Sequence, residues 1–236
     1  MTRAFLLGFS LVAASLGAGA MSFHADPPYL YLASRVVKTD WEAWQEAMER
    51  FDGKIKAIVF DNSPGGDSVT GRRIGHDIRK RGLMTVVSGR CASACANMFL
   101  GGKERLFSAR LNEQPTVLGY HGSYNKKTHQ LSKNRPPDYF VEMSEGKMDE
   151  DFVGTFTSIE NRKGLLYFVH EAQQRDGGPL AYLCKGDENP KHRDEECENL
   201  KGVDALSKGI VTSWDVAKVP FPPKPWPTKG TAKNWD

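Results

Sequence analysis

The feature that most constrains this chain is a repeated hand-over from apolar strand to turn to helix. "KIKAIVF", residues 54–60, is nearly continuous in apolar character, as a strand buried on both faces is. The turn "DNSPGGDS" follows, then "VTGRRIGHDIRKRG", with apolar spacing at Val69, Ile74 and Ile78 and a stop at Gly82. "LMTVVSG" is a further strand, and "SACANMFLGG" a short apolar helix with a Gly-Gly stop. Upstream, "YLYLASRVV" (29–37) reads as a strand, and "TDWE" (Thr39 to Glu42) as a capping box opening a helix through "AWQEAMERF". Two short strands, "RLFS" and "TVLGYHG", come after. Such alternation predicts an α/β domain with a largely parallel sheet and right-handed crossovers. In sheets of this kind the chemistry sits in turns beyond the carboxyl ends of strands. The turns "NSPGG" and "GRCAS" both follow strands.

The first twenty residues stand apart. "MTR" is a short basic start, "AFLLGFSLVAASLG" an apolar run, and Ala18–Gly19–Ala20 a small-x-small cleavage signature. Residues 1–20 are read as a secretory signal peptide cut near Ala20, with a secondary option after Ala25. The run is marginal for a membrane anchor. Export predicts a periplasmic or secreted protein in which disulfides are allowed and ATP, coenzyme A and nicotinamide cofactors are scarce. Any activity is then expected to be cofactor-free or to rest on a metal. The net charge of +3 falls to +2 without Arg3, too weak a balance to argue for nucleic acid.

The four cysteines allow three pairings. Cys184 and Cys197 bracket the polar segment "KGDENPKHRDEE". A bridge there stabilises by roughly 3 kcal/mol on the chain-entropy model. Cys91 and Cys95 would lie about 5–6 Å apart at Cβ in a regular helix, too far to bridge. Either the helix begins after Cys91 and leaves room for a disulfide, or both are buried thiols. The spacing does not suit zinc.

The rest is read more coarsely: "NKKTHQLSKNRPP" as a loop and "DYFVEMSEGKMDEDFVGTFTSIENR" as helical with interruptions. Residues 27–215 are expected to form one domain, with a polar insertion at about 122–160 and the cysteine-bracketed loop 184–197. "GLLYFVHEAQQ" reads as a helix, and "VDALSKGIVT" (203–212) as a short helix leading into an extended piece. Residues 216–236 concentrate prolines and read as extended or disordered.

Ser93 in "GRCAS" could be a helix N-cap or a nucleophile. Acyl transfer needs a base within reach of the hydroxyl, amides converging on the oxyanion, and usually a third group orienting the base. The Ala94 amide at a helix start, the Gly65–Gly66 turn and His121 after a strand supply those types. The ordered set "NSPGG", "GRCAS", strand-then-His121 and, near the end, "DALSKGIV" resembles the Clp protease proteolytic subunit. That family belongs to the Clp-protease/crotonase superfamily, and the "CASAC" motif is similar to its exported Clp-like members.

The resemblance implies a repeated β-β-α/βαβ spiral with a largely parallel sheet. It implies Ser93 as nucleophile, His121 as general base and the amides of Gly65, Gly66 and Ala94 as oxyanion hole. The family's aspartate lies upstream of the closing helix. Here that region reads "HRDEECEN", where Asp194, Glu195, Glu196 and Glu198 are candidates and Asp194 is favoured as the only aspartate. A Ser–His dyad is the alternative. His170 is the rival base, His76, His129 and His192 sit in polar settings, and Lys126 and Lys127 suit a Ser–Lys mechanism poorly.

The expected activity is an exported, ATP-independent serine peptidase or acyl hydrolase acting on short or unfolded peptides. No cofactor and no ATPase partner are expected, and self-association is. The alternative is a non-catalytic binding or assembly module on the same fold.

Overall fold

The computed structural model describes residues 20–125, 127–132, 137–174, 177–188, 196–221 and 233–234. Its centre is a parallel set of strands, β2 (Tyr29–Ala33), β3 (Ala57–Ser63) and β4 (Met84–Ala92), buried almost throughout. β1 (Ser22–Asp26) pairs antiparallel with β2. Its Phe23, and Met21 just before it, are fully buried, so the ordered domain starts before residue 27. A cut after Ala25 would remove most of that strand, whereas a cut near Ala20 leaves it whole. Residues 1–19, which carry the proposed signal peptide, lie outside the described residues.

On the edge away from β3, β4 serves two neighbours. Thr85–Val87 pairs with β5 (Arg105–Ser108), and Arg90–Ala92 pairs with β6 (Val117–Tyr120), both in parallel. The strand turns between them at Gly89, whose φ of +72° suits glycine. A Cβ there would meet the Asn62 side chain at 2.2 Å. Backbone donors freed at the bend are taken by side chains. Gly89 donates to Thr116 Oγ1 at 3.0 Å and Arg90 to Asn62 Oδ1 at 3.1 Å. From β6 the sheet continues antiparallel through β7 (Leu165–Val169), β8 (Ala181–Cys184) and β9 (Glu198–Asn199). The result is a mixed α/β fold with a largely parallel central sheet.

Helices α1 (Asp40–Arg50), α2 (Ser68–Lys80) and α3 (Ala94–Leu100) follow β2, β3 and β4. The Thr39 capping box does not form. Thr39 already has helical angles and makes no side-chain cap bond, while the Asp40 carboxylate accepts the Val37 amide at 2.7 Å. Asp67 caps α2 instead, accepting from the Thr70 amide at 3.0 Å. The strand expected to run to residue 37 stops at Ala33, because Ser34 takes a φ of +73°.

Two further expectations fail, one for a tertiary reason and one for a local one. "GLLYFVHEAQQ" is strand β7 followed by a single 3-10 turn at Glu171–Gln173, because the segment is paired on both edges, by β6 and by β8. "VDALSKGIVT" is a set of turns held by Asp204, whose carboxylate accepts the amides of Leu206 and Ser207 at 2.8 Å each.

The segment read as a polar insertion carries α4 (Pro137–Met143) and α5 (Glu150–Thr157). Their Tyr139, Phe140, Met143, Val153 and Phe156 belong to the main core. The helical reading of this stretch holds, with the interruption between Met143 and Glu150, but its description as a polar insertion overlooks these core residues.

The start of the tail is likewise placed. β10 (Val216–Ala217) pairs with β5, and Val219 and Phe221 pack with Tyr31, Val59 and Val86. The Tyr31 hydroxyl donates to the Pro220 carbonyl. β11 (Lys233–Asn234) pairs with β1, and residues 222–232 lie outside the described residues.

Candidate active site

Ser93 joins the end of β4 to the start of α3 with φ +56° and ψ −122°, a sparsely populated conformation for a residue with a side chain. It stands at the cap position, and its carbonyl accepts the Asn97 amide at 3.0 Å. Its hydroxyl makes no cap bond. The side chain is therefore not spent on holding the helix, and the turn is held by the backbone and by covalent chemistry. The Ser93 amide donates to the Gly119 carbonyl at 2.7 Å. Cys91 and Cys95 form a disulfide across the turn, with Cα atoms 5.3 Å apart. Because α3 begins only at Ala94, Cys91 still lies in the strand, which decides between the two states left open by spacing.

The Gly65–Gly66 turn rests directly on this junction. A Cβ at Gly65 would lie 2.3 Å from the Ala92 carbonyl, 2.7 Å from Ser93 Cβ and 2.8 Å from the Ala94 nitrogen. Glycine here is a condition of contact. The Gly65 amide donates to Ser63 Oγ at 3.3 Å, which removes it from the set of free donors. Among the described residues, no turn or cap hydrogen bond takes the amide of Gly66 or Ala94. These two remain available to an oxyanion. α2 is drawn equally close: a Cβ on Gly71 would lie 2.6 Å from the Ala94 carbonyl.

His121 follows β6 by one residue. β4 and β6 pair with Ala92 opposite Gly119, so the residues just beyond, Ser93 and His121, leave the same edge of adjacent strands. Both line one narrow pocket, with Ser68 and Arg72 from α2, Asn97 from α3, Phe140 from α4 and Thr157 from α5. Burial lowers the imidazole to about 4, and the nearby Arg90 charge adds to the effect. The ring is neutral at pH 7 and packs against Tyr124 at 5.1 Å between centroids. Its Nδ1 is buried with no hydrogen-bond partner among the described residues. Such an orphan is costly and calls for an explanation. It is the atom an orienting acid would bond.

No such acid is assembled among the described residues. Glu198 lies opposite Leu183, itself opposite Leu166, which is opposite Tyr120. That places it at the level of His121 but three strands away, about 14 Å at the usual strand spacing. Glu196 is exposed beside it, next to the Cys184–Cys197 disulfide. Asp194 and Glu195 lie outside the described residues. His170 is fully engaged: its Nδ1 accepts the Ala172 amide at 3.0 Å, and its Nε2 lies 2.7 Å from the Trp214 carbonyl. This is a structural histidine in the core, without a free nitrogen for catalysis. His76, His129 and Lys127 are exposed, and His192 and Lys126 lie outside the described residues.

Reasoning from sequence missed Arg72 and Asn97, and although it read the α4–α5 segment as helical it did not place Phe140 and Thr157 beside Ser93. Arg72 stands in a run of basic helix residues, and nothing in their spacing separates it from its neighbours.

No family model matches this chain, and no curated protein matches it. Among solved structures, a Bordetella parapertussis protein provisionally described as an enoyl-CoA hydratase/isomerase is similar at 13% identity with a TM-score of 0.41. That likeness covers 64% of this chain and 68% of that one. The two disulfides fit an oxidising compartment.

Proposed function

We propose that this protein is a serine hydrolase, a peptidase or related acyl hydrolase, working outside the cytoplasm without ATP. The observation that carries the reading is Ser93. Its hydroxyl sits on a strained strand–helix turn, makes no cap bond, and lines the same pocket as a partly buried neutral histidine. Ser93 Oγ attacks the substrate carbonyl, and His121 takes the proton and returns it to the leaving group. The amides of Gly66 and Ala94 receive the developing oxyanion. Water then releases the acyl group by the same steps in reverse roles. Short or unfolded peptides as substrates, and self-association, belong to the proposal through the resemblance to the Clp proteolytic subunit. The test is labelling of the purified protein with a fluorophosphonate probe, beside Ser93→Ala. Labelling that vanishes in the variant is expected.

The unpartnered His121 Nδ1 favours a second reading, a binding module on the same fold. A base without an orienting acid is weaker, and a fold does not fix a function. Absence of labelling in the folded parent across pH 5 to 9 favours that reading.

A further inference from the structure

Arg72 projects from the second turn of α2 into the pocket that holds Ser93 and His121. It is half-buried, and burial holds its guanidinium below its usual range. Taking such a group from water is costly unless an anion meets it. Among the described residues, no carboxylate lies within ion-pair distance of it, although four other arginines have such a partner. Its one hydrogen bond among the described residues, Nη1 to Ser123 Oγ, is long at 3.5 Å. Ser123 in turn donates to Ser68 Oγ at 3.2 Å, so both hydroxyls stand beside the guanidinium. Asp67, a carboxylate whose charge acts on it, is already engaged as the cap of α2. The pocket lining thus includes a planar cation, two hydroxyls and the ring of Phe140. That lining matches the carboxylate of a peptide, held bidentately by arginine with its methylene stem against a ring.

We infer that Arg72 selects substrates carrying a carboxylate next to the scissile bond. The group is either an acidic side chain on the acyl side of that bond or the free carboxyl end of the peptide. The inference deepens the hydrolase reading and rests on it for cleavage but not for binding.

The experiment therefore reads binding first. Fluorescein-labelled short peptides carrying glutamate or glutamine at one position, each with a free or amidated C-terminus, are titrated into Ser93→Ala protein, followed by anisotropy. Glutamate peptides are expected to bind roughly ten- to a hundredfold more tightly than glutamine ones, the usual weight of a charged hydrogen bond. Adding Arg72→Gln should level the two, and Arg72→Lys should restore part of the difference. If the difference follows the free C-terminus instead of the side chain, the carboxylate is the chain end and the inference stands. Equal binding of all four peptides overturns it. So does a difference that survives in Arg72→Gln. Fluorophosphonate labelling of the Arg72→Gln protein with Ser93 intact reads the nucleophile separately. Lost labelling in the parent sinks the hydrolase reading, and the binding result still decides the role of Arg72.

Discussion

The amide of Ser93 donates to the carbonyl of Gly119 at 2.7 Å, and this single bond hangs the candidate nucleophile on the strand that carries the candidate base. Ser93 could not move relative to β6 without losing it. The neighbouring disulfide and the Gly65 contact act on the same turn from its other sides. Three different constraints thus hold one residue in a conformation it would otherwise avoid.

Replacing Ser93 separates strain from chemistry. Ser93→Ala should change stability by no more than about 0.5 kcal/mol, because no cap bond is lost. Ser93→Gly should raise it by about 1 kcal/mol, since glycine accepts a positive φ freely. Both should lose fluorophosphonate labelling. Urea unfolding of the three proteins checks the order.

Gly65→Ala should cost about 2–4 kcal/mol through overpacking and backbone strain, and should abolish labelling of Ser93. Gly53 is the control. Its φ is also positive, at +66°, but nothing lies within 4 Å of a Cβ there. Gly53→Ala should cost about 1–2 kcal/mol, the left-handed penalty alone, and leave labelling intact.

The pH profile follows from His121. With its imidazole lowered to about 4 by burial, the base stays neutral far below the ordinary histidine range. The acid limb of kcat/KM should fall near pH 4 to 5, not near 6.5. The same shift affects stability. The folded value lies below the unfolded one, so the contribution is present above about pH 6.5 and is lost as pH falls through about 4. Rate measurements from pH 3.5 to 8, with unfolding midpoints at each pH, separate the two effects.

Asp40 titrates in the opposite sense. Burial raises it to about 6. Its folded value exceeds the unfolded one, so its contribution is full below about pH 4 and is lost as pH rises through 6. Asp40→Asn keeps an acceptor for the Val37 amide and should flatten the parent's fall in unfolding midpoint between pH 4 and 7. An unchanged slope in the variant would show that another group carries it.

The two disulfides should differ in what they protect. On the chain-entropy model the Cys91–Cys95 bridge contributes about 2 kcal/mol and the Cys184–Cys197 bridge about 3. Cys91→Ser with Cys95→Ser should slow labelling of Ser93 more than the same change at Cys184 and Cys197, although it costs less stability. Equal labelling rates would mean that hydrogen bonds and packing alone set the turn.

Much of the central architecture can be read from pattern. β3, α2, β4 and α3 have the period and the stops that their burial demands, and Gly65 lies against Ser93 while Ser93 and His121 share a pocket because each ends or follows a strand. Beyond His121 the pattern fails for identifiable reasons. Leu165–Val169 is a short apolar run, and only its two sheet neighbours make it a strand. Tyr139, Phe140 and Phe156 are diluted among polar loop residues, so their part in the core shows only in three dimensions. Thr39 has the right type for a cap, but Asp40 one residue later makes the stronger, charged contact. An orienting acid depends on a loop whose length sets no position.

The tail has a practical side. Val219 and Phe221 lie over Tyr31, Val59 and Val86, and Arg110 stacks on Phe221 with 4.3 Å from its guanidinium carbon to the ring centroid. A shortened version ending at residue 215 would lay bare an aromatic and β-branched surface on the middle strands. Anyone expressing this protein should attach affinity tags beyond the proline-rich stretch and not in place of it, because trimming there would trade a tidy boundary for a sticky one.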